Sequence, residues 1–212
     1  MDMDDSCYCK SDINLLDTAL TDLEYVVFDL ETTGTDFLRG HKIIEIGAVR
    51  IKKQYKITDK FLSFVNPHRN IPYEATQING ITNKDVEKAP EFNYIIYDFL
   101  EFSKSCILVA HNVSHDISFL KYEMGEYMLK FPEFIVIDTQ RLFSRIYPQY
   151  KKNSLDLIID KFKLNNCAPG YKRHRALYDA ISTAKAFIKM LNILQESQFT
   201  TLIELQEHIA HT

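Results

Sequence analysis

The stretch VVFDLETTG, Val26 to Gly34, begins as a buried strand and then places Asp29 and Glu31 where the apolar run ought to continue. In a strand, residues i and i+2 point to the same face, so the two carboxylates project side by side while Leu30 turns to the other. Both sit at the strand's C-terminal end, where the chain enters the permissive turn Thr32-Thr33-Gly34, and ligand sites in open α/β sheets lie just outside such ends. An isolated pair of this kind is more often two surface acids at a fraying strand end, so the surrounding sequence has to decide.

Around this stretch, residues 25–30, 43–51 and 56–66 are rich in β-branched and aromatic side chains and are separated by short polar or Gly-containing stretches, which predicts three strands in an antiparallel meander. Residues 106–110 (CILVA) and 134–138 (FIVID) read as two further short strands. Helical spacing of apolar residues predicts helices over 13–23, 92–102, 115–129, 139–147, 154–162 and 176–194, and Thr201 with Glu204 makes a capping-box pattern before a terminal helix. Between them, Pro67, Pro72 and Gly80 break up residues 66–82, which read as a long loop with room for one helical turn at 73–78. Early strands followed by alternating helices and strands predict an α/β fold, a mixed sheet with helices on both faces, without internal repeat or linker.

Two more stations repeat the placement of acids at element ends. The strand 106–110 runs into HNVSHD, which delivers Asp116 in the first turn of the following helix and leaves His111 and Asn112 just past a buried strand, where they read as substrate or supporting contacts. The helix dipole alone would account for Asp116, but not for His111 and Asn112. In YKRHRALYDA, His174 stands five residues before Asp179; on a regular helix that separates them by about 140°, so both face one pocket only if His174 lies in the loop ahead of the helix, as Pro169-Gly170 favours. The alternative is that Asp179 pairs with a nearby Arg. Four clustered carboxylates repel one another and raise at least one pKa unless cations hold them. Oxygen-only ligands suit Mg²⁺ or Mn²⁺ rather than zinc, and two such ions balance four acids, which describes a two-metal phosphoryl-transfer site.

Composition agrees with one globular domain: 212 residues, 46% hydrophobic and 25% charged. No apolar run approaches the roughly 20 residues that span a bilayer and the N-terminus has no signal-like segment, so a soluble, cytoplasmic protein is expected. Cys7, Cys9, Cys106 and Cys167 show neither zinc spacing nor the density of a disulfide scaffold, and read as reduced thiols. The net charge of −4 is uneven: residues 1–24 carry seven acidic side chains against one lysine, whereas 141–175 carry nine Lys or Arg against Asp156 and Asp160, with Tyr147, Tyr150 and Tyr171 interleaved. Such a segment can follow a phosphate backbone, although a charge run is more often a solvated face.

In order, VVFDLETTG, IIEIGAV, INGIT, LVAHNVSHDISFL, IDT, SLDLI and HRALYDA resemble the motifs of the DEDDh 3′-to-5′ exonucleases, over residues 25–194. The likeness is greatest to the proofreading exonuclease subunit or domain, of the epsilon or PolC type, of bacterial DNA polymerase III. It implies a ribonuclease H-like fold with a five-stranded mixed sheet, flanked here by an acidic N-terminal extension with a short helix, 1–24, and a helical extension, 195–212. It also implies that Asp29, Glu31, Asp116 and Asp179 hold two divalent ions, Mg²⁺ with Mn²⁺ as a substitute, and that His174 is the general base. The sister class uses a Tyr four residues before the last Asp; Arg175 stands there, which selects the histidine class. By the same resemblance, Thr32, Thr33, Gly34, Gly80 and Ile81 cradle the terminal nucleotide, with Ile81 against its base. The family usually has Phe where this chain has His115, for which a packing role is expected.

The implied reaction releases nucleoside 5′-monophosphates from a 3′ end, DNA favoured over RNA, in proofreading or repair and in company with a polymerase subunit. An RNA 3′-end trimmer with the same acids is the alternative. A non-catalytic polymerase-associated module is a third reading, which would need neither the four acids nor the histidine.

Overall fold

The computed structural model describes residues 15–165 and 168–210. Cys7, Cys9 and Cys167, most of the acidic N-terminus and the start of the helix expected over 13–23 lie outside these residues. Cys106 is a free thiol in the core, and burial pushes its pKa up to about 11.

Five strands form one mixed sheet: β1 (Tyr25–Thr32), β2 (Ile43–Lys52), β3 (Lys56–Phe64), β4 (Ile107–Ala110) and β5 (Val136–Asp138), in the order β3-β2-β1-β4-β5. The first three are the expected antiparallel meander, and β4 and β5 add in parallel beyond β1. Eight α-helices are described: α1 (Tyr73–Asn79), α2 (Asn83–Val86), α3 (Phe92–Ser103), α4 (Val113–Glu126), α5 (Thr139–Ile146), α6 (Leu155–Phe162), α7 (Ala176–Glu196) and α8 (Leu202–Ala210). Alternation along β1 divides the core in two. Val26, Phe28 and Leu30 pack under α3 and α4, while Tyr25 and Val27 pack under α5, α6, α7 and α8. Asp29 and Glu31 belong by parity to the second face, the one that α7 covers.

Register decides what that face can hold. The pairing of β1 with β4 ends at Val27↔Val109, so β1 runs on past its neighbour, and Asp29 and Glu31 sit beside a crevice outside the end of β4. On the other side Asp29 is opposite Gly47 and Glu31 opposite Glu45. A Cβ on Gly47 would lie 2.3 Å from the backbone of Ala176 and Leu177, so only glycine lets the first turn of α7 rest directly on the sheet next to Asp29. Glu45, 1% exposed, caps that turn by accepting the Ala176 N–H at 2.9 Å and forms a two-pronged ion pair with Arg175.

Two segments differ from the sequence expectation. The long loop over 66–82 contains α1, closed by Gly80 in the left-handed region at φ +72°, and is followed by α2, whose Thr82 and Asp85 form a capping box. Near the N-terminus, only residues 15–16 are helical among the described part of 13–23. Here Ala19 makes a β-bridge to Thr201, Leu20 N–H bonds Thr200 O at 2.8 Å, and Leu202 N–H bonds Thr18 O at 3.3 Å. Pairing with the segment ahead of α8 draws the chain out of the helix that its apolar spacing suggests. Leu20, Leu23, Leu202 and Leu205 are buried in the same core as β1, so 15–24 and 195–210 pack as part of the domain.

Candidate active site

Three elements converge at the crevice. β1 supplies Asp29 and Glu31, α4 supplies Asp116 in its first turn, and α7 supplies Asp179 in its first turn. One carboxylate oxygen from each of Asp29, Glu31 and Asp179 lies within 4.8 Å of the others. Asp116 stands at the edge of this group: it is close enough to raise the pKa of Asp29, but its carboxylate accepts the N–H of Leu30 and its own. The structure thus gathers three of the four expected acids tightly and seats the fourth against β1. His174 lies in the loop ahead of α7, in the left-handed region at φ +60°, and its N–H is donated to Asp179.

Burial is the main electrostatic fact. It drives Asp29 well above the usual carboxylate range, with Asp179, Asp116 and Glu31 adding repulsion. Glu31 is raised to about 8 by burial and then by Asp179 and Glu45, against the opposing hydrogen bond of the Asn79 amide. Burial lifts Asp116 to about 8 and Asp179 to about 7, the latter in spite of the adjacent Arg173. Asp179 Oδ1 is buried without a hydrogen-bond partner, an arrangement that costs free energy unless something electropositive faces it. An all-oxygen donor set, mutual repulsion and an orphaned carboxylate oxygen together fit hard divalent cations.

The sign of the resulting pH effect follows. Acids whose folded pKa lies above the unfolded value of about 4 bind more protons folded than unfolded, so stability is lost as pH rises from there through about 8. In EDTA the melting temperature is therefore expected to fall between pH 5 and pH 8, and millimolar Mg²⁺ should flatten or reverse that slope. Scanning calorimetry checks this, and a melting temperature that rises with pH in EDTA contradicts it.

The turn after Glu31 is built by its own side chains. Thr32 Oγ1 donates to Gly34 O at 2.7 Å; the buried Thr33 Oγ1 accepts the Lys42 N–H at 3.0 Å and meets His41 Nδ1 at 3.1 Å. The His41 ring lies directly over Gly34, where any Cβ would collide with it. Ile81 is not placed as expected: it is 1% exposed, in a core cluster with Ile44, Ile71, Ala75 and Val86, so its side chain supports the INGIT loop and offers no surface to a base. Gly80 serves as the C-cap of α1. The residue of that motif that reaches the site is Asn79, whose side chain bonds Glu31 and accepts the Ile81 N–H at 2.9 Å.

His111 and Asn112 are tied to the start of α5: His111 Nδ1 meets Thr139 Oγ1 at 3.2 Å and Asn112 N–H donates to Asp138 at 3.1 Å. Burial takes His111 down to about 4, so its ring is neutral near pH 7. His115 packs its ring 5.0 Å from that of Phe119. Much of the basic run is committed internally. Arg173 pairs with Asp156 and Asp179, Arg175 with Glu45, and Lys161 lies over the rings of Tyr147 and Tyr150. Sequence reading passed over Glu45, Gly47 and Asn79, and took Arg173 only as one charge of the basic run, although the pairing of Asp179 with a nearby Arg that it raised is the one Arg173 makes. The first three stand inside recognised motifs, but nothing local reveals what they touch.

The exonuclease (RNase T) family profile matches residues 26–187. The PolC-type DNA polymerase III of Caldanaerobacter subterraneus is 41% identical over 182 residues, covering 86% of this chain but only 12% of that protein. The DNA polymerase III subunit epsilon of Rickettsia conorii is 34% identical over 178 residues, covering 81% of this chain and 75% of that subunit. Among solved structures, exonuclease X in complex with 5′ overhanging duplex DNA superposes with a TM-score of 0.68 at 28% identity, covering 89% of this chain and 99% of that one.

Proposed function

The chain belongs to the exonuclease family, and on that premise we propose that it removes nucleotides one at a time from the 3′ end of a DNA strand, releasing nucleoside 5′-monophosphates. The observation that carries the reading is the meeting of Asp29, Glu31 and Asp179 within 4.8 Å, with His174 beside them on the same loop-to-helix junction. Asp29, Glu31, Asp116 and Asp179 would hold two divalent ions, Mg²⁺ with Mn²⁺ as a substitute. When bound, such ions supply Lewis-acid charge to the attacking and leaving oxygens of the phosphodiester.

The remaining work falls to the chain. His174 takes the proton from the attacking water: burial and the neighbouring Arg173 hold its pKa below the ordinary value, so the imidazole is neutral and able to accept near pH 7. Asn79 holds Glu31 in place, and through its hold on Ile81 N–H it links the acid to the INGIT loop. The crevice stands at a strand end between two helix N-termini, where a separated single strand can enter, which favours frayed or mismatched termini. Thr32 to Gly34 would form its floor beneath the terminal nucleotide, with the two hydroxyls committed to holding the turn. That selectivity suits proofreading or repair, with a DNA polymerase subunit as the natural partner and the cytoplasm as the setting. No described helix is long and apolar enough to cross a membrane.

The deciding experiment places 5′-labelled DNA and RNA oligomers of one sequence in the same tube with Mg²⁺. The expected result is stepwise shortening of the DNA from its 3′ end with mononucleotide products. Preferential shortening of RNA moves the assignment to RNA trimming, and internal fragments or no cleavage overturn it.

A further inference from the structure

Arg173 belongs to the basic run over 141–175, yet its guanidinium is held between two carboxylates of the protein. Its Nε donates to Asp156 Oδ1 of α6 at 2.6 Å, and its Nη1 bonds Asp179 Oδ2 of α7. The same Nη1 lies 3.5 Å from His174 Nδ1. Asp179 therefore has one oxygen occupied by Arg173, receives the His174 N–H, and keeps Oδ1 without a partner. A planar guanidinium fixed at its far side by a second carboxylate restricts both the rotation and the tilt of the group it grips.

We propose that Arg173 is a positioning residue for the reaction: anchored by Asp156, it clamps Asp179 so that the free oxygen faces Asp29 and Glu31, and through the same carboxylate it fixes the peptide that carries His174. The proposal rests on the exonuclease reading but can fail separately from it. Asp156 touches no acid of the cluster in any bond described, and its side chain is 64% exposed. Its charge also acts directly on His174 and Asp179. In a cycle with Arg173, that direct share adds to the effect of the Arg173 change, while the share carried by the clamp does not. Loss of Asp156 should cost little stability, as expected for an exposed ion-pair partner. Displacements of about 1 Å in such a site cost up to about 100-fold in rate, which sets the scale of the effect.

The test uses the full chain as wild type, Arg173→Gln, Arg173→Lys, Asp156→Asn and the double variant Arg173→Gln/Asp156→Asn. Steady-state hydrolysis of a single-stranded oligomer is paired with amide hydrogen exchange in EDTA. Arg173→Gln should lower kcat about 10-fold to 100-fold with KM within about twofold, and should speed exchange at residues 173–176. Lys, a point charge without the fork, should not restore the rate. Asp156→Asn should act in the same direction, and in the Arg173→Gln background it should add only its direct share, less than its effect alone.

A rise in KM with kcat preserved, together with a smaller salt dependence of binding, would instead make Arg173 a direct phosphate contact and overturn the proposal. Additive single effects, rescue by Lys, or unchanged exchange at 173–176 would overturn it as well. Wild-type protein that releases no mononucleotide in this assay refutes the exonuclease reading, whereas the exchange data judge the clamp without any substrate.

Discussion

Asp29→Asn is expected to lose on the order of 10³-fold or more in turnover, the scale set by removing a group dedicated to transition-state charge, while becoming more stable in EDTA at pH 8. Both halves come from one cause. Burial holds Asp29 well above the usual carboxylate range, with Asp179, Asp116 and Glu31 adding repulsion. An amide of the same shape is neutral without a proton, so folding at pH 8 no longer has to protonate, or bury as a charge, a group that is ionised in the unfolded chain. The same exchange withdraws an oxygen from the group proposed to hold the cations. Paired measurement of mononucleotide release and melting temperature checks this. Wild-type turnover in Asp29→Asn would remove Asp29 from the chemistry, and a lower melting temperature would show that its carboxylate is held by stabilising contacts instead.

His174→Asn is expected to lose about 10² to 10⁴ in kcat, the usual contribution of general-base catalysis, while divalent-ion binding measured by calorimetry persists. Asn is the informative substitution because His174 sits at φ +60°, where Asn is tolerated better than Ala, so backbone strain is not confused with lost chemistry. The pH profile gives a second reading. A base whose pKa is held below its ordinary value of about 6.5 is neutral above it, so the wild-type rate should climb at acidic pH and level off by neutrality. In His174→Asn this limb should vanish. An unchanged profile would exclude His174 as the proton acceptor.

How far these residues could be read in advance depended on distance along the chain. That Asp29 and Glu31 share a face follows from strand parity alone, and that Asp116 and Asp179 occupy first helical turns follows from apolar strands and loops giving way to helical spacing. Placing His174 ahead of α7 needed only the Pro169-Gly170 punctuation. By contrast, the clearance at Gly47 exists because α7 returns after some 130 residues to lie on β2, and Glu45 meets Arg175 across the same separation. Periodicity carries no record of such encounters. The Ile81 expectation failed for a related reason: a motif says which residue is there, but the packing of α1 and α2 decides that its side chain is enclosed. The helix expected over 13–23 yielded where Ala19 found Thr201, a tertiary pairing that outweighs local spacing.

That bridge has a consequence for where the fold can be trimmed. Paired strands bring backbones to roughly 5 Å, so the lead-in to β1 at Ala19 and the segment ahead of α8 at Thr201 lie side by side. Because these two segments also shelter Leu20 and Leu202, the fold cannot be cut down to β1 through α7 alone without opening a sealed seam of its core.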